Sequence, residues 1–443
     1  MLVEQADFAS GTSSRSSRLL HGGLRYLAQG HIGLVREASK EKALLSRLVP
    51  HLSQPLPFIF PSWRAGGWPL WKLALGSQLY ELLAGGRNLG LSSIYGRTRL
   101  LTEIPGLRSE GLSGGVRYFD ALTNDARLVI DTLRSASRAG AVLLNYVRLN
   151  AAHRQDAGWR CGVRDELSGE SFELCARTIV NAAGAWAGTL PHSRVHLRLT
   201  KGSHVVADRT RLPVPAAVVL SHGDRILFVI PWGERVILGT TDTDYSGDPA
   251  AVRTDPSDIE YILGVVNSAF PQARLTRADM ISSWAGVRPL IAPPRTGKMA
   301  PSDISRKHEI TVTEDGWIDV AGGKLTTYRL MAEQTVDRLG QFLDPKPPRS
   351  TTASIPLLAP ADTSFSDILP PPLSAQVVAH CCRDEWAIHL DDMLLRRTSW
   401  HFYHPNHKEI AETVAQWMAA ELGWSATQTK AEHDRYLRTA EFI

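Results

Sequence analysis

Two glycine-flanked basic stretches hold the residues best suited to chemistry. The first is Ser13-Ser14-Arg15-Ser16-Ser17-Arg18-Leu19-Leu20-His21-Gly22-Gly23-Leu24-Arg25-Tyr26, and the second is Ala321-Gly322-Gly323-Lys324-Leu325-Thr326-Thr327-Tyr328-Arg329. Each offers glycine backbone N–H groups, hydroxyls and fixed positive charge, which together hold a phosphorylated or carboxylated ligand. In Thr12 to Ser17, five of six residues carry a hydroxyl. Capping a helix N-terminus, they would meet a pyrophosphate well; a capped surface turn is the other reading. Glu4, at the end of an apolar run, either grips two ribose hydroxyls or is an exposed strand-end carboxylate.

Arg25 and Arg288 sit among apolar residues, where a guanidinium needs an anion, from an internal carboxylate or from a ligand. Arg306, in Ser305-Arg306-Lys307-His308, has a polar setting and reads as exposed. His204 and Lys324 complete a cationic cluster. Two or three arginines converging on one phosphate match its oxygens in pairs. Asp242 and Asp244 follow an apolar run but lack further ligands at metal-binding spacing, so an Asx-stabilised turn is expected and no metal. No G-x-S-x-G elbow, H-E-x-x-H pair or P-loop occurs, which leaves hydrolase and nucleoside-triphosphatase chemistry without support.

Residues 1–5 read as a strand end, 30–52 as a surface helix closing near Pro50, and 125–139 as a helix stopped by Gly140. A strand over 141–147 follows, and this strand–helix order argues a parallel α/β sheet. Strands are expected at 159–163, 172–175 and 178–181, the last running into Ala182-Ala183-Gly184-Ala185-Trp186, whose small residues admit a close ligand. Short strands at 204–207, 217–220, 226–231 and 236–240 suggest an antiparallel sheet in a domain of its own. Strands at 310–312 and 317–320 precede a helix over 328–339. A proline-rich linker separates these from a mostly helical tail with an apolar packing stripe at Ile410, Val414, Trp417, Met418 and Leu422.

A chain of 443 residues accommodates two or three domains. A net charge of +4, with no zinc-finger spacing or polybasic tail, excludes a nucleic-acid partner. Four cysteines without C-x-x-C spacing read as reduced and inert, with Cys161 and Cys175 buried in strands. Acidic Glu4 and Asp7 stand where a secretory leader would be basic. The segment Trp68–Ala84 contains Lys72, Gln78 and Glu81 and is a poor membrane span. Its face of Trp71, Leu75, Leu79 and Leu82 is expected to pack in the core; a helix lying in the membrane interface is the alternative.

The two basic stretches, with Asn181-Ala182-Ala183-Gly184-Ala185-Trp186, Lys201-Gly202-Ser203-His204, Pro231-Trp232, Leu238-Gly239-Thr240-Thr241-Asp242 and Gly286-Val287-Arg288-Pro289-Leu290, resemble in order the FAD-dependent glycerol-3-phosphate dehydrogenase family. Asp391-Asp392-Met393-Leu394-Leu395-Arg396-Arg397-Thr398 resembles a motif of that family's helical C-terminal region. The resemblance implies an α/β architecture. A Rossmann-like FAD domain of the glutathione-reductase or amino-acid-oxidase type (1–55, 120–195, 305–345) interleaves with a mixed-sheet substrate domain (56–119, 196–304). A linker (346–374) and a helical domain (375–443) follow. It implies oxidation of sn-glycerol 3-phosphate to dihydroxyacetone phosphate, with FAD passing electrons to a membrane quinone. His204, Arg25, Lys324 and Arg288 would be catalytic, and Arg25, Tyr26, His204, Arg288, Arg306, Lys324 and Thr326 would bind substrate. Glu4, Thr12, Ser13, Ser14, Leu19, Gly22, Gly23, Ala183, Gly184, Trp186, Gly322, Gly323, Leu325 and Thr326 would hold the cofactor.

His204 is the favoured proton acceptor, and an arginine or lysine that stabilises the alkoxide is the alternative. The reading places the chain in the cytoplasm, with peripheral contact at the inner membrane implied by a quinone acceptor, and allows a homodimer. Family members carry a strand, a Gly-x-Gly-x-x-Gly turn and a helix before the segment matching Leu2-Val3-Glu4, and the chain given begins without them. The expectation from that departure is a misplaced start or a truncated product that binds FAD poorly. Alternative readings are an oxygen-dependent glycerol-3-phosphate oxidase, an amine or amino-acid oxidase of the same fold, and an inert flavoprotein remnant.

Overall fold

The computed structural model describes residues 1–440 except 24–26, 28, 29, 66, 87, 157, 224 and 293–306. Parallel pairing joins β1 (Leu2–Val3) to β6 (Leu143–Leu144), and β10 (Ile179–Asn181) to β18 (Trp317–Ala321), with β17 (Glu309–Val312) antiparallel on the far side of β18. The expected parallel sheet is thus present as two separate pieces. A second antiparallel set, β7 (Val147–Gln155), β8 (Gly158–Asp165) and β9 (Ser171–Ala176), stands beside them.

The antiparallel sheet anticipated from short apolar runs is larger than those runs suggest. It contains β2 (Leu19–Leu20), β3 (Gln54–Trp63), β4 (Ser93–Gly96), β5 (Leu112–Leu122), β11 (Leu197–Asp208), β12 (Ala217–His222), β13 (Arg225–Trp232), β14 (Arg235–Gly239), β15 (Thr243–Tyr245) and β16 (Met280–Ile291). Among the described residues of this sheet, only β12 and β3 pair in parallel. Both faces are covered, so β11 and β14 read as continuous buried runs rather than alternating ones.

Helices α1 (Ile32–Leu48), α2 (Leu70–Ala84), α3 (Asp125–Arg138), α4 (Pro256–Ala269) and α5 (Tyr328–Leu339) pack around the sheets, and α6 (Ala375–Asp384), α7 (His407–Leu422) and α8 (Ala426–Ala440) form the tail. Asn124 caps α3 by accepting from Arg127 N–H, a side-chain substitute for a missing helical acceptor. Helix α1 is not the surface helix its charges suggest. Glu41 and Lys42 are buried because Arg329 grips the first, while the second meets Asp120 Oδ1 at 2.7 Å and Tyr80 OH at 3.1 Å. In α2 the core takes Leu73, Ser77, Tyr80 and Ala84, whereas Trp71, Leu75 and Leu82 are 67 %, 63 % and 75 % exposed. The core-packing expectation for that face is therefore overturned. Cys175 is likewise exposed, although Cys161 is buried; all four cysteines are free.

The helical tail docks through charge. Asp7 is 1 % exposed and receives Arg397 through two hydrogen bonds of 2.7 Å, with Arg396 on the same carboxylate. Arg396 also reaches Asp392 at 2.6 Å, and Tyr146 OH donates to that carboxylate. Nearby, buried Glu385 accepts both terminal nitrogens of Arg127, at 2.5 and 2.7 Å. Among the described residues, no helix is long and apolar enough to cross a membrane.

Candidate active site

A cleft of about 2000 Å³ runs from the edges of β1 and β10, past the hydroxyl run and the turn after β10, to the large sheet. That volume is well above the roughly 300–1,000 Å³ of ordinary small-molecule sites. Glu4 ends β1 at its rim, and one carboxylate oxygen accepts Ala6 N–H at 3.1 Å. Burial raises the Glu4 carboxyl above its ordinary value, with Asp7 adding to the effect against the backbone hydrogen bonds. Asn181 shapes the next wall. Its amide donates to Asp319 and to Ala187 O, and its oxygen accepts Ala183 N–H, folding the Ala183-Gly184 turn toward the cleft. Gly184 has φ +57, and a Cβ there would point into open space.

The two basic stretches, separated widely in sequence, meet. His21 N–H donates to Thr326 Oγ1 at 3.1 Å, and that hydroxyl lies 3.3 Å from His21 O. Gly322 and Gly323 turn the chain with φ +70 and +79, conformations that L side chains avoid. This places Lys324, Leu325 and Thr326 on the cleft wall beside Leu19, His21 and Gly23.

His204 lies on β11 between β14 and β16, opposite Gly239 on one side and Trp284 on the other. A Cβ on Gly239 would overlap the imidazole, and one on Gly202 would overlap the Arg288 guanidinium, so both glycines make room for cleft side chains. The ring stacks on Trp284, 5.3 Å between centroids, and its Nε2 is hydrogen-bonded to Ser17 Oγ at 2.8 Å. Burial, with Arg288 and Arg18 nearby, pushes the imidazole down to about 3, so it is neutral at ordinary pH. Arg288 donates to Thr240 Oγ1 at 2.9 Å and reaches Asp242 at 3.3 Å. Asp244 pairs with Arg198 at 2.7 Å. These two aspartates therefore serve arginines rather than the Asx turn expected from sequence.

Of the residues singled out from sequence, His204, Arg288, Lys324, Thr326, Glu4, Thr12, Ser13, Leu19, Gly23, Ala183, Gly184, Trp186, Gly322, Gly323 and Leu325 line this one cleft. Ser14 and Gly22 do not border it. The Ser14 hydroxyl turns back to Gly11 O, and a Cβ on Gly22 would strike Tyr80 OH. Arg25, Tyr26 and Arg306 lie outside the described residues. Sequence reasoning passed over Ser17, the hydrogen-bond partner of His204, and Asp125, whose carboxylate accepts Ser16 N–H at 3.1 Å. Their one local signal was membership of the hydroxyl run and of the α3 cap.

The glycerol-3-phosphate dehydrogenase 2 of Mycobacterium tuberculosis (strain ATCC 25618 / H37Rv) is 36 % identical over 494 aligned residues, covering 99 % of this chain and 83 % of that protein. The FAD dependent oxidoreductase family matches residues 1–329, and the C-terminal domain of alpha-glycerophosphate oxidase matches 365–429. The chain belongs to the FAD-dependent glycerol-3-phosphate dehydrogenase family. The aerobic glycerol-3-phosphate dehydrogenase of Staphylococcus aureus (strain USA300) is 38 % identical over 351 residues, 77 % of this chain and 62 % of that protein. Among solved structures, the glycerol-3-phosphate dehydrogenase from Bacillus halodurans complexed with FAD superposes with a TM-score of 0.79 at 28 % identity. It covers all of this chain (100 %) and 89 % of that one. The α/β oxidoreductase fold expected from the resemblance is thereby established.

The described residues suit FAD, as this family membership requires. The cleft is large, Val147, Leu149, Cys161, Val163 and Leu174 of β7–β9 give it an apolar wall, and the Gly184 turn borders it.

Proposed function

We propose that this chain oxidises sn-glycerol 3-phosphate to dihydroxyacetone phosphate and passes the electrons to a lipid-soluble quinone. The observation that carries the reading is that Arg288, Lys324 and a neutral, Ser17-bound His204 line the same cleft as Glu4. When bound, FAD supplies the hydride acceptor. Glu4 would hold ribose hydroxyls, Thr12, Ser13 and the Ala183-Gly184 turn would hold the phosphates, and the Gly322-Gly323 turn would admit the flavin ring. Arg288 and Lys324 present positive charge to the substrate phosphate, Arg288 with its fork already oriented by Thr240 and Asp242. Oxidation removes hydride from C2 and a proton from its hydroxyl. Burial is the main cause of the neutral imidazole and Arg288 adds to it; a dianionic phosphate entering beside Arg288 offsets that second contribution and raises the proton affinity of His204.

The exposed Trp71, Leu75 and Leu82 face of α2, with exposed Lys72 beside it, supports a quinone acceptor and peripheral membrane contact. The test is an anaerobic titration of the FAD-loaded chain with sn-glycerol 3-phosphate, followed by reoxidation with a quinone in vesicles or with air. Bleaching of the flavin band and faster reoxidation by quinone are expected. An unbleached band would overturn the substrate, and faster reoxidation by air would overturn the acceptor.

A further inference from the structure

Arg18 is 1 % exposed, and among the described residues its Nε and Nη1 have no hydrogen-bond partner. Its guanidinium carbon lies 4.4 Å from the Trp232 ring centroid, 5.4 Å from that of Trp284 and 5.8 Å from that of Phe402. Its remaining terminal nitrogen donates to Ser399 Oγ at 3.2 Å. Both partners hold left-handed backbone, φ +57 at Arg18 and +57 at Ser399, which L residues seldom adopt and which concentrates at functional positions. Burying a guanidinium without a carboxylate hydrogen bond is unfavourable, and an apolar side chain of similar volume would serve packing better. Three aromatic faces compensate it in part.

What this cation adjoins is the proton-handling pair. Ser17 immediately precedes Arg18 and bonds His204 Nε2, while Trp284 contacts Arg18 and stacks on the His204 ring. Trp284 Nε1 donates to Ser16 O at 3.0 Å, and Phe402 packs on Trp284 at 5.1 Å. We propose that Arg18 is a positioning residue for the reaction, a caged cation that locks the Ser17–His204–Trp284 arrangement and through which the segment 399–402 of the helical tail completes the active site from behind. The charged groups facing the ring are Arg18 from the N-terminal segment and Arg288 from β16. Asp242 is committed to Arg288, and Asp125, which faces Arg18 from α3, to the Ser16 backbone. Ser17, Trp284 and Gly239 are the neutral neighbours.

This inference rests on the glycerol 3-phosphate reading, and its test separates the two. Arg18→Met and Arg18→Lys are prepared in the full chain with isotope-labelled histidine, and His204 is identified with His204→Gln. In the methionine variant the His204 resonance is expected to titrate about one pH unit or more higher, with kcat for sn-glycerol 3-phosphate falling about tenfold or more and KM much less. Lysine should restore both. An unchanged His204 titration and kcat in a folded Arg18→Met protein would overturn the role, and so would a lysine variant as impaired as methionine. If the methionine variant does not melt cooperatively, Ser399→Ala and Phe402→Leu replace it. A moved His204 resonance with kcat falling more than KM then upholds the role, and wild-type values for both overturn it. If the wild-type flavin does not bleach with glycerol 3-phosphate, the substrate reading fails while the histidine titration still decides the place of Arg18.

Discussion

Replacing Asp7 by asparagine removes one charge from the clamp between the N-terminal segment and the helical tail while keeping the side chain's shape. In the wild type the carboxylate is buried, takes two hydrogen bonds from Arg397 and holds Arg396 as well. Arg396 retains Asp391 and Asp392, and Arg397 retains Glu385 O, so neither guanidinium is stranded. That places the loss near the lower end of the range for breaking a buried ion pair, about 3 kcal/mol. For a chain of 443 residues the unfolding entropy is about 0.9 kcal/mol per kelvin, and the expected fall in Tm is about 3 °C if the molecule melts as one unit. The pH dependence sharpens the test. Burial alone would raise the Asp7 carboxyl, but Arg397 and Arg396 outweigh it and hold the group below its ordinary 3.8. A folded-state value below the unfolded one contributes stability that is complete above about pH 4 and is lost as the pH falls further. The gap between wild type and Asp7→Asn should therefore be constant from neutral pH to about 5 and close at lower pH. Thermal melts of both proteins across that range measure it. Equal melting at pH 7, or a gap that widens in acid, would refute the reasoning.

Four further outcomes follow from the site. His204→Gln should slow flavin reduction by glycerol 3-phosphate by about 10²–10⁴-fold in stopped-flow absorbance while FAD stays bound; an unaltered rate would remove His204 from proton handling. Because the imidazole is held near 3, no histidine ionisation of His204 should appear above pH 5 in kcat/KM for the wild type. Glu4→Gln should weaken FAD affinity about tenfold, read by flavin fluorescence, if the carboxylate accepts from ribose hydroxyls. Gly323→Ala places a side chain at φ +79 and against Met331; a loss of about 1–2 kcal/mol in denaturant unfolding is expected, and wild-type stability would show that the turn relaxes freely.

Local signals carried far in some places. Helix α5 occupies Tyr328–Leu339, the span expected after the Gly322-Gly323 turn. The paired basic stretches share one cleft because His21 and Thr326 bond each other, a contact prefigured by chemistry but not by spacing. Gly22 stands off the cleft wall for a simpler reason. Extended backbone alternates its faces, so Leu19, His21 and Gly23 meet the cleft while Leu20 and Gly22 turn inward. Ser17 meets His204 across 187 positions, a contact made by the tertiary fold, which no window of sequence contains. The exposed face of α2 was equally opaque. Apolar residues surround that helix, so the pattern could not say which side the sheet would cover; Tyr80, drawn to Asp120 at 2.7 Å, settles its rotation.

The Asp7–Arg397 contact joins positions 390 residues apart. On a ribosome adding about 5–20 residues per second, the N-terminal segment waits roughly 20–80 s before its arginine partners exist. During that interval Asp7, the hydroxyl run and the Arg18 side chain have no tail to receive them. Yield of the folded chain should therefore depend on synthesis rate and on chaperones that shield the emerging N-terminal segment, even where the finished protein is stable.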